Sequence, residues 1–156
     1  MSELFMSFIH EEERIAAGVQ EFIQRVFEAK VDAFMSSDKN AIYAGEDWMN
    51  RIFDELKKTK VLISMLSPTS VARPWINFEA GAAWMRDTKV IPVCFGGLLL
   101  DNLPKPYSSL QAIDIRKHSG SHYLVTSIAH YLCLAAPKQP LFTDDAAVLA
   151  LGTNNP

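Results

Sequence analysis

Short apolar runs alternate with longer amphipathic stretches along this chain. Leu4 to Phe8 reads as a first strand, and Glu11 to Lys30 follows as a helix, with Ile15, Val19, Phe22, Ile23, Val26 and Phe27 near helical spacing. Val31 to Met35 predicts a second strand. A polar loop from Ser36 to Gly45 leads to a second helix, where Trp48, Ile52, Phe53 and Leu56 share a face and Lys57 and Lys58 suit the negative end of the dipole. Val61 to Leu66 is apolar throughout, as a strand covered on both sides should be. A helix after Pro74, a strand from Lys89 to Phe95, a Gly-, Pro- and Ser-rich connection from Gly96 to Leu110, a short edge strand from Ala112 to Ile115 and a helix from His122 to Leu134 complete the series. This alternation predicts an α/β domain with a parallel sheet.

The domain is expected over residues 1–136, with a tail at 137–156 that carries a short helix from Asp144 to Leu151, stopped by Gly152. At 156 residues one domain is the working count. A net charge of -3 gives no basic excess for nucleic acid. No apolar run reaches membrane-spanning length and the start lacks the basic region of a signal peptide, so a cytoplasmic location without membrane attachment is expected. Two cysteines, Cys94 and Cys133, both in apolar patterns, read as buried reduced thiols rather than a disulfide or metal site.

Several familiar signatures are missing: no G-x-G-x-x-G follows the first strand, and there is no Walker loop and no nucleophile elbow. A phosphoacceptor receiver would place an aspartate where this chain has Ser67-Pro68. His118 and His122 have ligand-like spacing but no third ligand nearby, so solvated histidines are the better account. His10 directly follows the first strand and is placed at the carboxyl edge of the sheet, where ligands bind in open α/β folds.

The most telling feature is Trp75-Ile-Asn-Phe-Glu79. Pro74 suits the first helical position, and Trp75, Phe78, Glu79, Ala82 and Ala83 then share a face. A carboxylate on an apolar face loses hydration, so it is either paired, for example with Arg73 or Arg86, or used. Trp75 and Trp84 alone fit a role as core aromatics equally well.

In order along the chain, Leu4-Phe-Met-Ser-Phe8 with its helix, the loop closing at Gly45-Glu-Asp-Trp48, the strand Val61 to Ser67, and Ser70 to Glu79 resemble the boxes of a Toll/interleukin receptor (TIR) domain of the bacterial kind, from about Leu4 to Leu134. The resemblance implies a flavodoxin-like, doubly wound, five-stranded parallel sheet. It also implies that Glu79 corresponds to the glutamate with which catalytic TIR domains cleave the nicotinamide–ribose bond of NAD+, with NAD+ as substrate and neither cofactor nor metal. Trp75 matches the tryptophan one turn earlier and Phe34 an aromatic near the substrate, while Ser36 to Trp48 matches the mobile BB loop. Phe8, His10, Phe34, Ser36, Tyr43, Trp48, Ser70 and Trp75 are thus the expected substrate-lining residues. Self-association through the loop, into filaments where the rotation does not close, would shape Tyr43 and Trp48 against a neighbour. Stand-alone antiphage TIR proteins such as those of Thoeris, which make a nucleotide signal for a separate effector, are similar in size. The chain departs from the pattern where Ala44-Gly45 replaces the usual proline before glycine. A non-catalytic adaptor and a nucleoside deoxyribosyltransferase are the competing readings.

Overall fold

The structure, a computed structural model, describes residues 3–37, 45 and 47–137, apart from the His118 side chain. Five strands, β1 (Leu4–Phe8), β2 (Ala33–Ser37), β3 (Val61–Leu66), β4 (Lys89–Cys94) and β5 (Ile113–Asp114), form one sheet in the order β2-β1-β3-β4-β5. Every pairing is parallel. Parallel neighbours require long crossovers, and α1 (Glu13–Val26), α2 (Trp48–Lys58) and α3 (Pro74–Trp84) supply three of them, with α4 (His118–Tyr131) after β5. The chain runs outward from β1 to β2 and returns to the other side of β1 at β3. The carboxyl ends of β1 and β3 therefore flank a topological switch point, the usual place for a ligand in such a sheet.

Strand residues alternate between faces, so Leu4, Met6 and Phe8 point one way and Phe5 and Ser7 the other. On the first face they join Val61, Ile63 and Met65 under Val19, Phe22 and Ile23 of α1 and Leu124, Val125 and Ile128 of α4. On the second face α2 and α3 pack Ile52, Leu56 and Ala83 over Phe5 and Leu62, while Ile76, Ala80 and Tyr107 cover Leu66 and Cys94.

The boundaries differ from the sequence reading where backbone geometry outweighs periodicity. The first helix stops at Val26 because Glu28 and Ala29 adopt left-handed φ values of 52° and 60°. β2 then enters the ladder at Ala33, opposite Leu4, rather than at Val31. As a result Ser36 belongs to the strand and not to the loop after it. The last helix starts at His118, ahead of the expected His122, and the edge strand shrinks to Ile113–Asp114. The tail helix expected at 144–151 lies outside the described residues.

A polar clasp joins the two strands at the switch point. Ser70 Oγ accepts from the Ser67 N–H at 2.7 Å and donates to the Met65 carbonyl at 3.1 Å. Glu12, on the 3-10 turn after β1, is buried against the Ser67 and Ser70 hydroxyls. Burial pushes its carboxyl up from the ordinary value, against those hydroxyls and the Arg73 charge, which favour ionisation. Folding therefore takes up a proton between the unfolded and folded values, so stability falls as pH rises through that window. Glu12→Gln is expected to raise the thermal midpoint at neutral pH, with the gain shrinking toward about pH 4, where the unfolded carboxyl also protonates. Thermal melts of both proteins across this range check the sign.

A second expectation concerns the fit of α4 on β5. A Cβ at Gly120 would overlap the Asp114 carbonyl oxygen, whereas one at Gly81 in α3 would meet nothing within 4 Å. Gly120→Ala should cost about 1–3 kcal/mol or more through overpacking, and Gly81→Ala should stabilise by about 0.5–1 kcal/mol through helix propensity. Urea denaturation of the two variants measures both.

Candidate active site

Helix α3 opens with Pro74 at its first turn, where the missing N–H leaves no bond unmade. Its buried positions are Ile76, Glu79, Ala80 and Ala83, one face at the helical repeat. This corrects the face read from sequence: the stripe centres on Ile76, Trp75 flanks it half-buried, and Phe78 is 41% exposed. Glu79 occupies the middle of the stripe and has no solvent exposure.

The sheet meets it with hydroxyls. Parallel register sets Ser36 of β2 and Ser64 of β3 on either side of Ser7 of β1, so three serines form a row on the α3 face. Ser7 Oγ donates to Glu79 Oε1 at 2.8 Å, and Ser36 Oγ donates to Oε2 at 2.6 Å. Each carboxylate oxygen thus has a fixed donor from a different strand. These bonds favour the ionised form, whereas the complete burial opposes it. The Arg73 guanidinium sits 3.1 Å from Glu11.

Aromatic rings flank the carboxylate. Phe34 of β2 packs on Phe5 at 5.3 Å between ring centroids and stacks with Trp48 at 6.5 Å. The Arg51 guanidinium lies 5.8 Å from the Phe34 ring and 5.7 Å from Trp48, within cation–π range. Trp75, one turn before Glu79, stacks on Phe78 at 5.4 Å. Its indole Nε1 is buried with no hydrogen-bond partner among the described residues. A buried donor without an acceptor is costly, so this is a place where a ligand oxygen would be stabilised.

The structure brings Ser36, Phe34, Trp48 and Trp75 to the α2–α3 side of the sheet with Glu79. Phe8 is a correction: as the strand neighbour of Ser7 it points to the opposite face and belongs to the core under α1 and α4. Ser70 is buried in the clasp between β1 and β3, and His10 is exposed on the 3-10 turn, 3.9 Å from Glu13. Tyr43 lies outside the described residues. Ser7 and Arg51 were missed by the sequence reading, although a serine inside an otherwise apolar strand is a visible signal. Among the described residues no cluster of three metal-ligating side chains occurs, and no helix is long and apolar enough to cross a membrane. Cys94 is buried and its thiol is pushed up to about 11 by desolvation, but Cys133, expected to be buried, is exposed at the turn that ends α4. A cleft of about 300 Å³ between Trp84, Lys89, Tyr123 and Tyr131 lies at the amino end of β4, away from this site.

Comparison with known proteins follows the same outline. A metazoan TIR-STING receptor from C. gigas, in complex with 2',3'-cGAMP, superposes with a TM-score of 0.53 at 21% identity, over 74% of this chain and 35% of that one. The chain thus spans about a third of that receptor's length. The TIR domains of the activated Roq1 resistosome that directly recognizes the effector XopQ match with a TM-score of 0.48 at 13% identity, over 99% of this chain and 86% of theirs. No curated protein matches the chain at a significant level. The family model for the TIR domain matches residues 4–127, most of the chain and every element from β1 well into α4, and the chain belongs to the TIR domain family.

Proposed function

We propose that this TIR domain cleaves the nicotinamide–ribose bond of NAD+, with Glu79 as the catalytic carboxylate. The observation that carries this reading is a fully buried glutamate whose two oxygens are fixed by Ser7 and Ser36 beside the unpartnered Trp75 indole. In NAD+ the leaving group is already a cationic pyridinium, so nicotinamide departs neutral without a general acid. The demand falls on the ribose, where positive charge develops as in a glycosidase transition state. A preorganised carboxylate answers that demand and can accept the ribose hydroxyls. Phe34, Trp48 and Trp75 supply rings for the bases, and Arg51, layered on two of them, supplies a cation for the diphosphate. Water as acceptor gives ADP-ribose, an adenine nitrogen gives a cyclic isomer, and another nucleophile gives a conjugate. In an antiphage setting the product serves as the signal to a separate effector, or NAD+ depletion is itself the output.

Two experiments test the proposal. Glu79→Gln keeps the shape of the side chain and is expected to lower nicotinamide release about 100-fold or more, in the range of a lost electrostatic stabiliser. Undiminished turnover by the folded variant would remove Glu79 from the chemistry. Release of base from deoxynucleosides instead of NAD+ would point to a deoxyribosyltransferase, and no turnover of either would favour an adaptor.

Assembly is part of the same proposal. The sequence between β2 and α2 carries Ala41, Ile42 and Tyr43 among polar residues, a pattern suited to a contact surface. Activity per molecule is expected to rise with protein concentration and to drop in Tyr43→Ala. A rate that stays flat down to nanomolar protein, unchanged by the substitution, contradicts it.

A further inference from the structure

The apolar stripes of α2 and α3 do not stay inside. Met49 and Phe53, one turn apart on α2, are 39% and 38% exposed, and Phe78 on α3 is 41% exposed. Phe53 and Phe78 meet between the two helices with ring centroids 6.2 Å apart, and Phe78 in turn stacks on Trp75 at 5.4 Å. Single exposed apolar side chains are ordinary, but neighbouring large ones on adjoining helices, continuous with a buried aromatic, mark a binding surface. Resting on the NAD+ reading above, we propose that Phe53 and Phe78 form a platform on which the adenine of the dinucleotide stacks, and that they thereby select a substrate with two bases.

The rings form a series that runs from the interior to water. Trp75 stands one turn before the buried Glu79, is itself half-buried, and holds an indole N–H with no acceptor among the described residues. Phe78 comes next and Phe53 last, both open to solvent. Such a gradient suits a ligand whose reacting end is enclosed and whose far end is not. NAD+ has that form, since its adenine hangs from the diphosphate at the end remote from the nicotinamide–ribose bond. Adenine is also uncharged, and the platform is made of uncharged side chains; the acidic neighbour Asp54 is taken up by Lys57 at 3.4 Å. A phenylalanine ring has a π face and no hydrogen-bonding group, so it stacks on a base without reading its edge. The platform therefore distinguishes the presence of a second base from its absence, not one purine from another.

Other exposed rings do not share this course. Trp84, Tyr123 and Tyr131 gather around the cleft at the amino end of β4, away from Glu79. Removing a ring there leaves the substrate path untouched, which makes Tyr123 a fair control for Phe53 and Phe78. A second copy of the chain seated on the platform would cover the same rings, but it would link them to association and not to the choice of substrate.

The test uses the full chain with Phe53→Ala, Phe78→Ala and Phe78→Leu, the last keeping apolar bulk without a ring, and Tyr123→Ala as control. Nicotinamide release is measured from NAD+ and from nicotinamide mononucleotide, which lacks the adenine. The wild type should favour NAD+ through a lower KM. Each platform variant is expected to raise the KM for NAD+ about tenfold, the size of one lost base stack, with kcat little changed and the mononucleotide kinetics unaffected. The control should match the wild type. Mononucleotide turnover doubles as the check on folding: equal losses on both substrates mean a structural role and overturn the proposal. An unaltered preference for NAD+ in Phe78→Ala and Phe78→Leu also overturns it, whether or not sedimentation shows that a dimer has been lost. If the wild-type protein releases no nicotinamide, the activity reading fails and AMP binding decides, followed through the Trp75 indole N–H resonance, assigned by its loss in Trp75→Phe. An AMP affinity about tenfold weaker in Phe78→Ala supports the platform, and equal affinity, or no response of the wild type to AMP, refutes it.

Discussion

A carboxylate removed from water loses hydration worth several kcal/mol even after the protein relaxes around it, and Glu79 is removed completely. What offsets that loss is a pair of hydroxyl donors, Ser7 and Ser36, one to each oxygen. Much of the domain's second face is arranged around this contact. Helix α3 must present Glu79 at the level of the serines, and its Ile76, Ala80 and Ala83 neighbours seat it there by packing on Leu66, Cys94, Phe5 and Leu62. A slip of one residue in either β1 or β2 would turn its serine to the other face and leave the carboxylate short of a donor.

The parallel sheet makes that alignment possible. Matched register along β2, β1 and β3 turns three serines, far apart in sequence, into a row with one polar edge in an otherwise apolar layer. The row sits near the carboxyl ends of the strands, next to the switch point, so the buried carboxylate falls where the topology leaves a crevice. Aromatic rings from β2, α2 and α3 gather on the same side. A dinucleotide needs this combination: flat surfaces for its bases, a cation for its diphosphate and a held carboxylate at its ribose.

The fold was legible in the sequence because alternating apolar runs and amphipathic stretches carry the two periods of strand and helix without ambiguity. Glu79 was legible because a charge on an apolar face is an anomaly that local spacing exposes. Its partners were not, since pairing Ser7 with Ser36 depends on strand register, and a start of β2 two residues later than expected moves Ser36 from loop to strand. Phe8 was assigned to the site from its motif, yet alternation beside Ser7 sends it to the opposite core. Cys133 sits in an apolar pattern but caps a helix end with a φ of 56°, which turns it outward. Tyr107 carried no local signal: it stands in a Pro- and Ser-rich connection, and only the tertiary fold packs it against Ile76 of α3.

The central claim, that the buried Glu79 carboxylate is the group that meets the ribose of NAD+, is tested most directly by an experimental structure with a carbocyclic NAD+ analogue, which binds but cannot be cleaved. The account expects the nicotinamide-bearing ring within hydrogen-bond reach of Glu79, with the rings of Trp75 and Phe34 against the ligand. An analogue bound with that ring away from Glu79, and the Ser7–Glu79–Ser36 contacts undisturbed, would contradict it.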